Sequence, residues 1–393
     1  MKSNYEPLGK HIRLVDYRNS EEVTSTVLGI SIDKEFMPSV ANVIGTDLSR
    51  YKLISKGLFA CNPMHVGRDE RLPIALYEKD NAAIVSPAYF MFEIIDRDVL
   101  NEEYLMMWFR RPEFDRECWF MTDGSVRGGI TWDDLCRIKL PVPSYARQCE
   151  IVESYRAITN RIALKRAEND NLAAQCSCVM YDQYRSDAQN GSPWTKYTVQ
   201  DLIDKKYIDP PMDGNHGELH PKASDYVATG IPFVMANNLS DGFVDLSQCA
   251  FITEKQAKTL RKGFARPDDV LLTHKATLGR TAIVPEGYEY IILTPQVTYY
   301  RVHKGLSNVY LRYYFESSYF QSTLEAFAGG GSTRAYIGIT KQCGLPVYLP
   351  CESSMNILTY SLSQIERVRL LNQTEIQQLI DARNTLITQL SSR

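Results

Sequence analysis

Gly124-Ser125-Val126-Arg127-Gly128-Gly129-Ile130-Thr131, closed by Leu140-Pro141, returns in the second half of the chain as Gly331-Ser332-Thr333-Arg334 and Ile339-Thr340, closed by Leu349-Pro350. The match extends upstream. Ser86-Pro87 answers Thr294-Pro295, Tyr104-Leu105 answers Tyr310-Leu311, and Phe114 answers Phe320. Residues 86–143 and 294–352 can thus be overlaid, and each copy runs into a long helical stretch. A duplication on this scale predicts two similar modules, two similar helices and an internal pseudo-two-fold. Such a chain is suited to gripping something that itself has two halves. A solenoid is excluded, because its repeats recur every 20–50 residues or so.

The bulk numbers bound the rest. At 393 residues the chain is too long for one ordinary core, and two or three units are expected. Apolar content of 44% and charged content of 23% are those of a globular protein. No apolar run approaches the roughly 20 residues that cross a bilayer. Met1 to Lys10 has no hydrophobic segment after its lysine, so no signal peptide is expected there. The 9 cysteines are scattered, with no Cys-x-x-Cys and no zinc-ligand spacing. That pattern predicts reduced thiols and a cytoplasmic protein. The net charge is −3 and the pI about 6.1. A free-standing DNA binder is more often basic, so any basic surface must be local or shared with a partner.

The expected organisation follows the duplication: module one over 1–144, a central helix over 145–190, module two over 191–350 and a C-terminal helix over 351–393. Val85 to Ile95 is rich in aromatic and β-branched residues and predicts a strand, as does Ile291 to Val302. Asn101 to Phe109 predicts a helix with an asparagine cap, matched by Ser307 to Phe327. From Ile151, steps of four and three land on Tyr155, Ile158, Ile162, Lys165, Asn169, Leu172, Cys176, Val179 and Gln183. From Leu358 they land on Leu362, Ile365, Arg369, Asn372, Ile376, Leu379, Arg383, Leu386 and Leu390. Most positions of both series are apolar, and the polar interruptions fall near the middle of each. A repeat of 3.5 residues predicts a coiled-coil seam. The two helices, each on the order of 50–55 Å long at 1.5 Å per residue, are expected to pack antiparallel with one module at each end. The fold class is therefore mixed α/β: two similar globular domains joined by two long antiparallel helices.

Catalytic chemistry is hard to find. Asp209-Pro210-Pro211-Met212 resembles the loop that holds the target amine in amino-methyltransferases. However, its fourth residue is not aromatic and no glycine-rich cofactor motif precedes it. Pro267-Asp268-Asp269 followed by Thr273-His274-Lys275 lacks the second acid that a nuclease core needs for Mg²⁺. Gly329-Gly330-Gly331-Ser332-Thr333-Arg334 is not a phosphate-binding P-loop, which requires Gly-Lys-Ser/Thr opening a helix. None of the six histidines has a visible nucleophile partner. No active site, no metal and no cofactor are expected on this chain. What the loops offer is contact chemistry: Asn62, His65, Arg68 and Arg127 in module one, and Asn237, Asn238, His274, Lys275, Arg280 and Arg334 in module two. Arginine and lysine take phosphates or guanine edges, and asparagine takes adenine edges. Arg127 and Arg334 stand out because each follows Gly-Ser at an equivalent position.

Together these strings resemble the DNA-specificity subunit of type I restriction–modification systems. The similarity is carried by Gly57-Leu58-Phe59-Ala60-Cys61-Asn62-Pro63-Met64 and Ile84-Val85-Ser86-Pro87-Ala88-Tyr89 in module one. In module two it is carried by Gly230-Ile231-Pro232-Phe233, Asp269-Val270-Leu271-Leu272-Thr273 and Gly279-Arg280-Thr281-Ala282. Leu140-Pro141-Val142-Pro143 running into Gln148-Cys149-Glu150-Ile151-Val152 is similar to the family's junction between module and helix. The resemblance implies that each module is a target recognition domain reading one half of a split DNA site. It implies that the helices set the gap and dock two modification subunits, with Ile151, Tyr155, Ile158, Leu358, Leu362 and Ile365 as docking positions. S-adenosylmethionine then belongs to those partners, which methylate a flipped-out adenine. ATP and Mg²⁺ belong to two restriction subunits. The second junction, Leu349-Pro350-Cys351-Glu352-Ser353, departs from the first by lacking the second proline and the glutamine. The modules also diverge upstream of residue 86 and its equivalent, which implies two different half-sites and an asymmetric target.

Overall fold

The computed structural model describes residues 5–40, 45–64, 66–122, 128–217, 220–303, 305–329 and 335–390. It divides into two units. The first gathers Met1–Lys165 with Thr374–Arg393, and the second comprises Arg166–Gln373.

In the first unit, Tyr5–Pro7 pairs antiparallel with Lys139–Pro141. A four-stranded antiparallel sheet runs in the order Ile12–Leu14, Phe90–Ile94, Phe59–Cys61, Ile74–Leu76. A second four-stranded sheet runs Phe36–Pro38, Val27–Ile30, Ala83–Val85, Lys52–Ile54. Its one parallel pair is Val27–Ile30 with Ala83–Val85. Helices Glu102–Phe109 and Pro112–Phe120 close the core.

The second unit repeats this plan strand for strand. Thr195–Thr198 pairs with Pro346–Leu349. One sheet runs Met212–Asp213, Val297–Tyr300, Val270–Thr273, Thr281–Ile283. The other runs Ala250–Ile252, Ile231–Val234, Ile291–Leu293, Phe264–Ala265, again with one parallel pair, Ile231–Val234 with Ile291–Leu293. Single contacts are duplicated too. The Tyr104 hydroxyl donates to the Pro141 carbonyl, and the equivalent Tyr310 hydroxyl donates to that of Tyr348. Phe109 packs on Phe114 at 4.9 Å between centroids, and Phe315 on Phe320 at 4.5 Å.

Three sequence expectations are corrected. Val85 to Ile95 is not one strand, because the chain turns at Ser86-Pro87 and its two ends join different sheets. Ile291 to Val302 breaks in the same way at Thr294-Pro295. Proline has no N–H for a ladder, and the turns are closed by Tyr89 N donating to Ser86 O and Val297 N donating to Thr294 O. Likewise Ser307 to Phe327 forms two helices, Asn308–Glu316 and Ser318–Ala328. Ser317 adopts extended backbone between them and caps the second through Phe320 N.

One difference between the units is large. In the first, the strands Val27–Ile30 and Phe36–Pro38 are joined by a tight turn, Ser31 to Glu35. In the second, the equivalent strands are separated by residues 235–249, which hold a 3-10 turn, Ala236–Asn238, and an extra hairpin, Leu239–Ser240 with Phe243–Val244.

The long helices are Tyr145–Gln189, 45 residues, and Glu352–Gln389, 38 residues. At 1.5 Å per residue they measure about 68 and 57 Å, longer than the apolar repeat alone suggested. Neither contains glycine or proline, so nothing interrupts them. The first ends at Gly191, in the left-handed region at φ 74°, followed by Pro193. In the first unit, Val152 and Tyr155 share a core with Ile387 and Leu390, and Arg161 pairs with Glu375 at 2.7 Å. In the second, Cys176 and Met180 share a core with Met355, Leu358 and Leu362. There Asn169 Nδ2 donates to Arg369 O at 3.3 Å and Asn372 Nδ2 donates to Asn169 Oδ1 at 3.0 Å. Polar groups at a seam fix register by finding each other. Both units thus hold an antiparallel helix pair built within the chain.

The helix junctions are held differently. Gln148 is buried, accepts from Asn101 N and donates to the carbonyls of Val99 and Pro143. At the second junction Ser354 donates to Asp187, which also accepts from the Trp194 indole. Cys351 is exposed there. The hydroxyl of Ser353, with the Ser354 backbone, pulls its thiol down to about 6. Brief iodoacetamide treatment followed by peptide mass spectrometry is expected to label Cys351 with a midpoint near pH 6. In urea that midpoint should rise toward the ordinary thiol value of roughly 8.5. Buried Cys61 and Cys118, whose pKa values desolvation raises, should stay unlabelled while the protein is folded.

Candidate nucleic-acid interface

In the second unit the strands Val270–Thr273 and Thr281–Ile283 are joined by a turn that carries three of the expected contact residues. His274 O accepts from Ile337 N, and Ala276 N donates to Ala335 O, so the turn is zipped to residues 335–337. Lys275 is exposed, with Nζ 5.8 Å from the centre of the Tyr336 ring. Arg280 sits at the base of the turn, where its N–H donates to Thr273 Oγ1 at 2.9 Å. Its guanidinium Nη1 reaches the carbonyls of Leu239 at 3.3 Å and Ala236 at 3.5 Å. That brings it beside exposed Asn237. Asn237, Lys275 and Arg280 are therefore a polar group of exposed side chains on or beside this turn. Its chemistry fits phosphates and base edges.

Asn238 and His274 do not join that set. Asn238 is buried, with Oδ1 accepting from Met235 N at 2.9 Å and Nδ2 donating to Gln248 O at 3.2 Å. His274 is fully buried, with Nδ1 2.9 Å from Ile337 O, and desolvation lowers its pKa so that the ring is neutral. Both side chains hold loops together from within, and their contact role is corrected to a supporting one. Arg334 lies outside the described residues, as does Arg127 in the first unit.

The first unit builds the same junction with other residues. Following the strand Phe59–Cys61, Pro63 O accepts from Ile130 N and Gly67 N donates to Gly128 O. A Cβ on Gly129 would lie 2.8 Å from Pro63 O, so only glycine allows this approach. Asn62 closes the turn by accepting from Met64 N at 3.2 Å. Arg68 is exposed and forked onto Asp69 at 2.7 and 2.9 Å, so its charge is offered with a counter-charge attached. His65 lies outside the described residues.

The expected docking positions lie mostly inside the two units. Tyr155, Leu358 and Leu362 are buried in the cores, with Ile151 and Ile365 packed against them and Ile158 half-buried. A seam that closes on its own chain offers little to a partner. The C-terminal helix also carries Ile357, Tyr360, Val368 and Leu371, which are all exposed. Steps of three, eight and three residues put them in one stripe. The signal was in the sequence as a second apolar periodicity, offset from the first.

Among the described residues no group of three or more His, Cys, Asp or Glu side chains could hold a metal. Asp269, part of the nuclease-like string, is buried and clasped by Arg301 at 2.9 and 2.7 Å. Among the described residues no helix is long and apolar enough to cross a membrane.

No protein-family profile matches this sequence, and no curated protein matches it. Solved structures do. The crystal structure of a type I restriction–modification system S subunit from M. genitalium aligns over 99% of this chain and 96% of its own, at 11% identity and a TM-score of 0.55. A chain from a study of complex assembly and conformational transition of the type I R-M system covers 98% of this chain and 96% of its own, at 18% identity and a TM-score of 0.43. The HsdS subunit from Thermoanaerobacter tengcongensis covers 98% of this chain and 95% of its own, at 16% identity and 0.39. The last two add nothing to the fold assignment. The full-length alignment with the first, together with the strand-for-strand repeat and the paired helices, identifies the architecture: this chain has the fold of a type I restriction–modification S subunit.

Proposed function

We propose that this chain is the DNA-specificity subunit of a type I restriction–modification complex, reading an asymmetric two-part DNA site with one half-site per unit. The observation that carries the reading is the twofold construction of one loop junction on one strand order, furnished with different side chains each time. Equal frames with unequal contact residues are what two different half-sites require. The paired helices set the gap between half-sites. The exposed stripe Ile357, Tyr360, Val368 and Leu371 supports docking of a modification subunit by helix-in-groove contact. Two modification subunits bring S-adenosylmethionine and perform adenine methylation, and restriction subunits bring ATP and Mg²⁺. The chain itself positions DNA and catalyses nothing, working in the cytoplasm. Its net charge of −3 suits a DNA site enclosed jointly with partners.

The test is to co-express the chain with its modification subunit and map methylated adenines across the host genome by single-molecule sequencing. The expected result is a motif of two short defined blocks around an undefined gap, present only with this chain. A soluble, intact complex that leaves no such motif would overturn the proposal.

A further inference from the structure

Residues 235–249 are the largest departure of the second unit from the first, and they touch the contact set directly, since two of their carbonyls receive Arg280. The hairpin they form is anchored from an unexpected side. Arg369, on the C-terminal helix, donates through Nη2 to the carbonyl of Asp241 at 2.6 Å and lies 4.9 Å from the centre of the Phe243 ring. Its other terminal nitrogen donates to Glu366 Oε2 and to the Tyr313 hydroxyl, both at 2.9 Å. Asp241 has φ 55° and Gly242 φ 85°, so the hairpin tip is in a conformation that needs holding. A Cβ on Gly242 would lie 1.7 Å from Arg312 Nη1, so the tip is pressed against a second arginine.

Arg312 extends the connection. It is fully buried and bridges Glu366 Oε2 at 3.2 Å and Glu316 Oε1 at 3.1 Å. Glu316 Oε1 in turn accepts from Thr281 Oγ1 at 2.6 Å, and Thr281 is the residue after Arg280. Arg280 is therefore held twice by the same cluster. Its guanidinium is held by the Ala236 carbonyl in the 3-10 turn and by the Leu239 carbonyl in the hairpin whose tip Arg369 holds, and its backbone neighbour Thr281 is tied to Glu316 and Arg312. Two arginines face two glutamates, so the cluster is neutral. A buried ion network of this kind is poor evidence for added stability, but it imposes one geometry on the groups it ties.

We infer that Arg369 is a positioning residue for DNA readout by the second unit, acting through the 239–244 hairpin on Arg280. The inference rests on the proposed DNA-specificity function. It assigns a specificity role to a buried residue of the C-terminal helix.

The test uses the full complex and methylome mapping. Arg280→Ala is expected to relax one block of the two-part motif, which identifies the block read by the second unit. Arg369→Met should relax the same positions, raising methylation at sites mismatched there on the order of tenfold, as loss of one base contact does. The other block and the gap should stay unchanged, and the double variant should relax the motif no further than Arg280→Ala alone. Arg369→Lys keeps the charge but cannot span both Glu366 and Asp241. It should give a partial relaxation, and it covers the case in which the methionine variant does not fold. A structural role alone would lower methylation without changing the motif, or affect both blocks equally, and either result overturns the inference. So does an Arg280→Ala variant with an unaltered motif. If the unmodified complex itself gives no two-part motif, the DNA-specificity reading fails, and this inference with it. If that motif is present and Arg369→Met and Arg369→Lys leave it intact, the inference alone fails.

Discussion

Asp115→Ala destabilises the first unit by about 3–5 kcal/mol, the cost of leaving one partner of a buried ion pair alone. Asp115 Oδ1 accepts from Lys34 Nζ at 2.6 Å and from Leu72 N at 3.0 Å, while the same ammonium donates to Leu72 O at 2.8 Å. Lys34 is buried, and its residue sits in the left-handed region at φ 65°. Removing the carboxylate strands an ammonium and orphans a backbone N–H. The double variant Lys34→Met/Asp115→Leu removes both charges and should recover most of the loss, because the pair itself offsets its own desolvation and little more. Urea unfolding followed by hydrogen exchange of residues 27–38 and 59–76 checks both values. A loss below about 1 kcal/mol for Asp115→Ala would sink the argument. The pH dependence has a definite sign. Burial lowers the Lys34 pKa from 10.5, so between the lowered value and 10.5 the unfolded chain holds a proton that the folded chain has released. Stability from this group therefore rises with pH across that window. In Asp115→Ala the favourable carboxylate is gone, the pKa falls further and the rise begins at lower pH.

Leu362→Ala should cost the second unit about 2–5 kcal/mol, as truncation of a fully buried leucine does. Leu362 is 0% exposed and joins the helix seam to the module core. Leu371 is 63% exposed and Tyr360 71%. The pair Tyr360→Ala/Leu371→Ala should leave stability within about 0.5 kcal/mol for each substitution. It should nonetheless weaken docking of the modification subunit by about tenfold or more, the usual penalty for losing an interface anchor. Thermal unfolding of the chain and titration with the modification subunit separate the two effects. If docking is unaffected, the stripe is not the docking face.

The architecture was legible where the physics is local and periodic. The apolar repeat predicted both long helices and their pairing, and the Ser86-Pro87/Thr294-Pro295 and Phe114/Phe320 matches predicted the duplication. The Leu-Pro strings lie two residues out of register, because Lys139 pairs with Pro7 where Pro346 pairs with Thr198. The repeat upstream of residues 86 and 294 was invisible. Strand order there is kept by alternation and burial, which Val27–Ile30 and Ile231–Val234 satisfy with different residues. Pro87 and Pro295 could have been read as breaks, and were outweighed by the aromatic runs around them. The contact set was only partly legible for a related reason. Asn237 and Asn238 are identical in sequence terms, and only the 3-10 turn decides that one faces out and the other in. The Arg312–Glu366–Arg369 cluster was visible only as an interruption of the heptad at Arg369, with no sign of what it binds.

The two loop anchors differ in ownership. Lys34, Leu72 and Asp115 all lie within the first module, so that module carries its anchor wherever it goes. The second module borrows its anchor from residues 366 and 369, beyond its last strand Pro346–Leu349. Recombination at the two module ends is thus unequal for the loop anchors: the first cassette carries the Lys34–Asp115 anchor within itself, while the second keeps its anchor only when its downstream helix travels with it.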